Sequence, residues 1–190
     1  MKKNSRPRRD VTLLLIAFVI CALVLGALFL KKYGERHRQP VAPPPSHQEG
    51  KLVVTLFFAA PDGTGLVREG REIDPCGDPA DCVESVAGEL INGPLGDLTP
   101  TLPEATMIQN VQVNGDVALI DFGEGLNQGL PDGSSAEMMA VYSIVDTICV
   151  NFPRIKKVQL MLNGAKADTL KGHVDLREPL EPDMTLVKKQ

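Results

Sequence analysis

Tryptophan is absent from the chain, and Tyr and Phe number only two and six. Platforms that hold nucleic acid by base stacking need exposed aromatic rings beside basic residues, so no nucleic-acid partner is expected. Histidine is scarce as well, at three residues. His37 and His47 fall in or beside a solvated, proline-rich stretch, and His173 is the one histidine late in the chain. Neither Cys-x-x-Cys nor a Gly-x-Ser-x-Gly elbow occurs, which removes the usual dithiol and hydrolase arrangements. Ser134 or Ser135 with His173 and an acid has no supporting spacing. No catalytic residue, cofactor or metal ion is assigned, and the chain is expected not to be an enzyme.

Charge of one sign is also unevenly supplied. Residues 1–50 carry 9 Lys/Arg against 3 Asp/Glu, and residues 51–190 carry 11 against 21. The acidic part repels nucleic acid and anionic headgroups, so only the basic arm suits a membrane surface. A length of 190 residues with 43% hydrophobic content suffices for one ordinary domain and an anchor, but not for two sizeable cores.

Residues 11–30 form a run of twenty without charge. At about 1.5 Å per residue a helix over this run spans roughly 30 Å, the thickness of a bilayer's hydrocarbon core. A cleaved signal has a shorter apolar region and a small-residue cleavage site. A lipoprotein signal needs a small residue before its acylated cysteine, whereas Cys21 follows Ile20. The run therefore predicts an uncleaved, single-pass anchor in the inner membrane. Lys2, Lys3, Arg6, Arg8 and Arg9 place residues 1–10 in the cytoplasm, against Lys31, Lys32, Arg36 and Arg38 on the far side. Residues 31–50 then make a proline-rich linker that lifts an extracytoplasmic (periplasmic) domain, 51–180, off the membrane. Residues 181–190 are left as a C-terminal tail.

Within the domain, 52–58 is an apolar run that predicts a buried first strand. Asp78 before Pro79 marks a helix start, continued by Val83, Val86, Ala87, Leu90 and Ile91 on one face and stopped at Asn92-Gly93-Pro94. Asn114-Gly115 between 106–113 and 117–122 predicts an antiparallel hairpin. Ser134 with Glu137 has the spacing of a capping box, followed by Met138, Val141, Tyr142, Val145, Ile148, Cys149 and Phe152 at helical intervals. Residues 155–162 make a last strand closed by Asn163-Gly164, with a weak edge over 169–176. An exposed last strand suits edge-to-edge pairing, either with a partner or in a homo-oligomer. The fold class expected is α/β (α+β-like): two helices packed on one face of a mixed four- to five-stranded sheet, preceded by one transmembrane helix.

Gly123, Gly125 and Gly129 follow a strand, but their spacing is one residue too long for a dinucleotide fingerprint, and a flexible connecting loop accounts for them. Asp121, Glu124, Asp132, Gly133, Ser134 and Glu137 form an acidic interaction loop. Its carboxylates allow a second reading, a carbohydrate-active or peptidoglycan-binding site. Cys76 and Cys82 are near enough in sequence for a local disulfide, provided that a helical start between them does not hold them apart. Cys149 lies on the apolar stripe and reads as a small buried hydrophobe.

Several of these pieces together resemble the GerMN domain, the sporulation and spore-germination domain of bacterial envelope proteins. They are Leu56-Phe57-Phe58, Glu89-Leu90-Ile91-Asn92-Gly93-Pro94, Leu102-Pro103, residues 117–122, Gly133-Ser134-Ser135-Ala136-Glu137 and residues 158–164. The resemblance covers most of the domain, from 52 to about 180. It implies a non-enzymatic α/β module used for protein assembly or cell-wall association. In spore formers a two-domain relative supports the apparatus that joins mother cell and forespore, whereas here one domain is present. Partners are accordingly expected among envelope proteins or peptidoglycan, with the inner membrane held through 11–30.

Overall fold

The computed structural model describes residues 50–189 and, before them, Val24 alone. The expected membrane span 11–30, Val24 apart, and the linker residues 31–49 lie outside the described residues. Among the described residues no helix is long and apolar enough to cross a membrane. All strands and the helices of the domain belong to one unit, Gln48–Gln190.

The first strand, β1 (Leu52–Ala59), pairs antiparallel with β2 (Leu66–Ile73), Leu52 opposite Ile73 and Ala59 opposite Leu66. These two strands form their own sheet. Helix α1 (Pro79–Ile91) begins where Asp78 accepts from the Ala80 N–H at 2.9 Å, and it buries Val83, Val86, Ala87 and Leu90. Gly93, at φ +81°, lets the chain leave the helix. Cys76 and Cys82 are bridged across this junction, with Cα atoms 5.3 Å apart, so the helical start does not separate them.

A second sheet has the order β3-β4-β5-β6, with β3 (Ile108–Asn114), β4 (Val117–Phe122), β5 (Lys157–Leu162) and β6 (Ala165–Lys166). β3 and β4 are antiparallel, whereas β4 and β5 are parallel. The hairpin forms, but its two loop residues are Gly115 and Asp116, because Asn114 still pairs with Val117. Gly115 has φ +66° and Asp116 does not adopt positive φ, which suits a type II′ turn with glycine first. At Asn163-Gly164 both residues have positive φ, 51° and 79°, and the chain doubles back into β6.

Between β4 and β5 run a short helix, α2 (Glu124–Gly129), and a long one, α3 (Ser134–Asn151). The expected flexible glycine loop is in fact α2. A Cβ on Gly125 would meet the Ala105 carbonyl oxygen at 2.0 Å, and one on Gly129 would meet Pro103 at 2.7 Å. These glycines let the helix press against residues 103–105.

The single mixed sheet with both helices on one face is not what forms. α1 packs on β1 and β3, and α3 packs on β1 and β5, so each helix touches both sheets. The reason lies at β1's second edge. Asn151 accepts from the Thr55 N–H at 2.8 Å and donates to its carbonyl at 2.7 Å, while Thr147 Oγ1 accepts from the Phe57 N–H at 3.2 Å. Thr99 exchanges two main-chain bonds with Ala59. Helix side chains and a loop thus occupy the ladder positions that another strand would need. Helix α3 is buried on more than a stripe: Ser143, Asp146 and Thr147 are buried with Val141, Ile144, Val145 and Ile148. Most of the core is one cluster, while Phe57, Leu66 and Met139 form a second beneath Leu186 and Val187.

The C-terminal residues are fastened to the domain at several points. Leu180 pairs with Val158 through two main-chain bonds of 2.9 Å, and Lys188 donates to the Leu66 carbonyl at 2.8 Å. Asp183 donates its N–H to Asp146. Residues 169–176 form no strand, and the last strand's edge is not open, since β6 has two residues and Val158 of β5 is bridged by Leu180.

Candidate functional site

The six residues of the acidic loop lie in different environments. Asp121 is buried, and its Oδ1 accepts from the Gly164 N–H at 2.9 Å, which fastens the Asn163-Gly164 turn to β4. Glu124 is exposed in the first turn of α2 and accepts from the Gln128 side chain. Asp132 is exposed and pairs with Lys171. Gly133, at φ +126°, is the N-cap of α3, so Ser134 is the exposed first helical residue and makes no capping bond.

Glu137 corrects the capping box outright. The helix begins one residue earlier than that motif assumes, so Glu137 stands beyond the third position and its carboxylate turns away from the cap. It is fully buried and accepts from the N–H groups of Leu170 and Lys171 at 2.8 and 2.9 Å and from that of His173 at 2.7 Å. Burial by itself raises its carboxyl, but the donors of Lys171, His173, Leu170 and Val174 outweigh this and hold it below the ordinary carboxylate value. Two of the four carboxylates are therefore internal fasteners. Among the described residues no group of three or more His, Cys, Asp or Glu side chains gathers as metal ligands. Burial pushes the Cys149 thiol up to about 11, which leaves little thiolate for nucleophilic attack near neutrality.

A carboxylate that the sequence reading passed over is Asp146, fully buried on α3. One oxygen accepts from the Asp183 N–H at 2.9 Å, and the other has no hydrogen-bond partner among the described residues. Burial raises its carboxyl to about 6; the Asp183 N–H and Arg68 oppose the shift, and the Asp183 charge adds to it. Because the folded value lies above the unfolded one, the favourable contribution is complete at low pH and is lost as pH rises through about 6. Asp146→Asn should therefore stabilise the fold at pH 8 by about 2–3 kcal/mol, with the gain shrinking toward pH 4, as urea melts at both pH values will show.

Two clefts flank α1. One, of about 530 Å³, lies between the exposed flank of α1 (Asp81, Glu84, Ser85, Gly88) and Met107 and Ile108 at the start of β3. The other, of about 470 Å³ and more apolar, lies among Pro79, Cys82, Val113, Phe152, Pro153 and Ile155. The first adjoins the outer edge of β3. Nothing in the sequence singled out Asp81, Glu84, Ser85 or Gly88.

No curated protein matches the sequence. Three solved structures do share the fold. A candidate lipoprotein from Clostridium perfringens is 23% identical at a TM-score of 0.50, over 73% of this chain and 92% of that one. The first GerMN domain of the sporulation protein GerM from Bacillus subtilis is 21% identical at 0.50, over 70% and 96%. The tandem GerMN domains of GerM give 19% and 0.54 over 70% of this chain, which spans only 46% of the tandem protein. Residues 55–168 match the family model Germane, sporulation and spore germination, and the chain belongs to that family.

Proposed function

We propose that the protein is a membrane-anchored, extracytoplasmic GerMN module that joins or assembles proteins in the bacterial cell envelope and is not itself an enzyme. The observation that carries this reading is a Germane domain over 55–168 following an uncharged run of twenty residues at 11–30. The Cys76–Cys82 bridge supports an oxidising compartment, since such bonds rarely persist in the cytosol. A link to sporulation or germination comes from the family, not from any residue singled out here.

Two measurements test it. Alkaline phosphatase fused after Gln190 should be active in intact cells, and photo-crosslinkers on the exposed faces of the domain should capture envelope proteins. A fusion that is produced at full length but inactive overturns the reading. The peptidoglycan alternative retains Glu124 and Asp132 as its exposed carboxylates. Sedimentation of the full chain with intact peptidoglycan should be unchanged by Glu124→Ala with Asp132→Ala, and lost retention would favour that alternative.

A further inference from the structure

We infer that the outer edge of β3, beneath the acidic flank of α1, takes an extended, Lys- or Arg-bearing segment of a partner protein as an added strand. This deepens the interaction-module reading and rests on it.

The two-residue turn closes on the Asn114–Val117 pair, so antiparallel alternation aims the main-chain N–H and C=O of Val111 and Val113 away from β4. No main-chain partner meets them among the described residues. Other edges are covered or charged: β1 is covered by Asn151, Thr147 and Thr99 and β5 by Leu180, while β2 is met at Leu66 by Lys188 and carries Arg68, Glu69, Arg71 and Glu72 along the rest of its length. Proteins blunt open edges with charges, prolines or bulges. β3 reads Ile-Gln-Asn-Val-Gln-Val-Asn, with neither charge nor proline, and its irregularity falls at Ile108/Asn110, which leaves 110–114 regular. A strand added here donates and accepts main-chain bonds as β4 does on the other side, and its alternate side chains point toward α1.

What those side chains carry follows from charge. Asp81, Glu84, Ser85 and Gly88 recur at helical spacing on one flank of α1, and both acids are exposed above the cleft of about 530 Å³. Gly88 adds no side chain to fill it. Residues 51–190 carry 21 acids against 11 basic residues, so a second copy of the domain is repelled while a basic segment is drawn in.

The test uses the full chain in nanodiscs of zwitterionic lipid. The probe is a peptide of about ten residues alternating Lys and Val, with a Glu-for-Lys counterpart as control. The basic peptide should slow amide exchange at Val111 and Val113 about tenfold, and the acidic one should not. Val113→Pro removes an edge donor that the ladder to β4 does not use, and Glu84→Lys reverses an exposed charge; each should weaken binding about tenfold or more. Binding that survives both variants, protection elsewhere, or no binding at about 1 mM overturns the proposal. If envelope partners are still crosslinked in cells after such a result, the β3 surface fails and the module reading stands; if none is crosslinked, both fail.

Discussion

Glu137→Ala should cost the fold about 3 kcal/mol or more, because it strips the acceptor from three main-chain N–H groups, and such buried donors left unpaired cost about 1–3 kcal/mol each. Those donors belong to Leu170, Lys171 and His173, more than thirty residues along the chain from the helix that supplies the carboxylate. Against a typical net stability of about 5–15 kcal/mol the loss is large, and a urea melt should show a lower midpoint. Glu137→Gln keeps an oxygen for the Oε1 donors but turns an –NH₂ toward the His173 N–H, so about 2–3 kcal/mol should still be lost. The pH dependence separates charge from shape. The folded carboxyl lies below its ordinary 4.5, so its contribution is complete above that value and is lost as pH falls through the folded value. The stability gap between wild type and Glu137→Gln should therefore hold steady from neutrality down to about pH 5 and narrow below it. A gap independent of pH to the acid limit would show that the carboxylate's charge is not what the loop needs.

The elements that were legible beforehand are those whose cause is local. Asp78-Pro79 starts a helix because one carboxylate reaches an N–H two residues on, and the stripe Val83, Val86, Ala87, Leu90 follows from helical spacing alone. The β3–β4 hairpin was readable from Asn114-Gly115, although its turn falls one residue later with Gly115 alone at positive φ, and the Asn163-Gly164 turn was readable from two residues that both accept positive φ. β2 was not, because the inward positions that would show alternation include Glu69 and Arg71, a buried ion pair where apolar residues are the usual signal. The two-sheet division was hidden for a similar reason: nothing in a linear reading shows that Asn151 will return to hydrogen-bond Thr55 across β1's edge. At the acidic loop, the Ser134–Glu137 spacing fits a cap, yet Gly133 takes that place and frees Glu137 for a distant loop. Composition located the acids but not their partners. The open edge of β3 left one trace in the sequence, an uncharged strand rich in Asn and Gln.

That buried ion pair leads to the second large effect. Arg71→Ala should lose about 3–5 kcal/mol, the usual result of removing one partner from a buried charged network. The Arg71 side chain is 6% exposed and donates to the Glu89 and Gly93 carbonyl oxygens, at 3.1 and 2.9 Å, as well as to the carboxylates of Glu89 and Glu69. It also sits 5.8 Å from the centre of the Phe58 ring. A guanidinium serves all four acceptors because its donors diverge in a plane, and its charge lies at the carbonyl end of α1, where the helix dipole favours a cation. Lysine keeps the charge but offers one nitrogen, so Arg71→Lys should still cost about 2 kcal/mol or more. Glu69 in turn accepts from the Leu95 N–H. The same substitution should thus speed amide exchange in the last turn of α1 and at Leu95 before any global unfolding. Added salt should change the loss little, since the pair is shielded from solvent. Unchanged exchange at these amides beside a large global loss would mean that Arg71 acts through core packing on Phe58 and not by tying β2 to the end of α1.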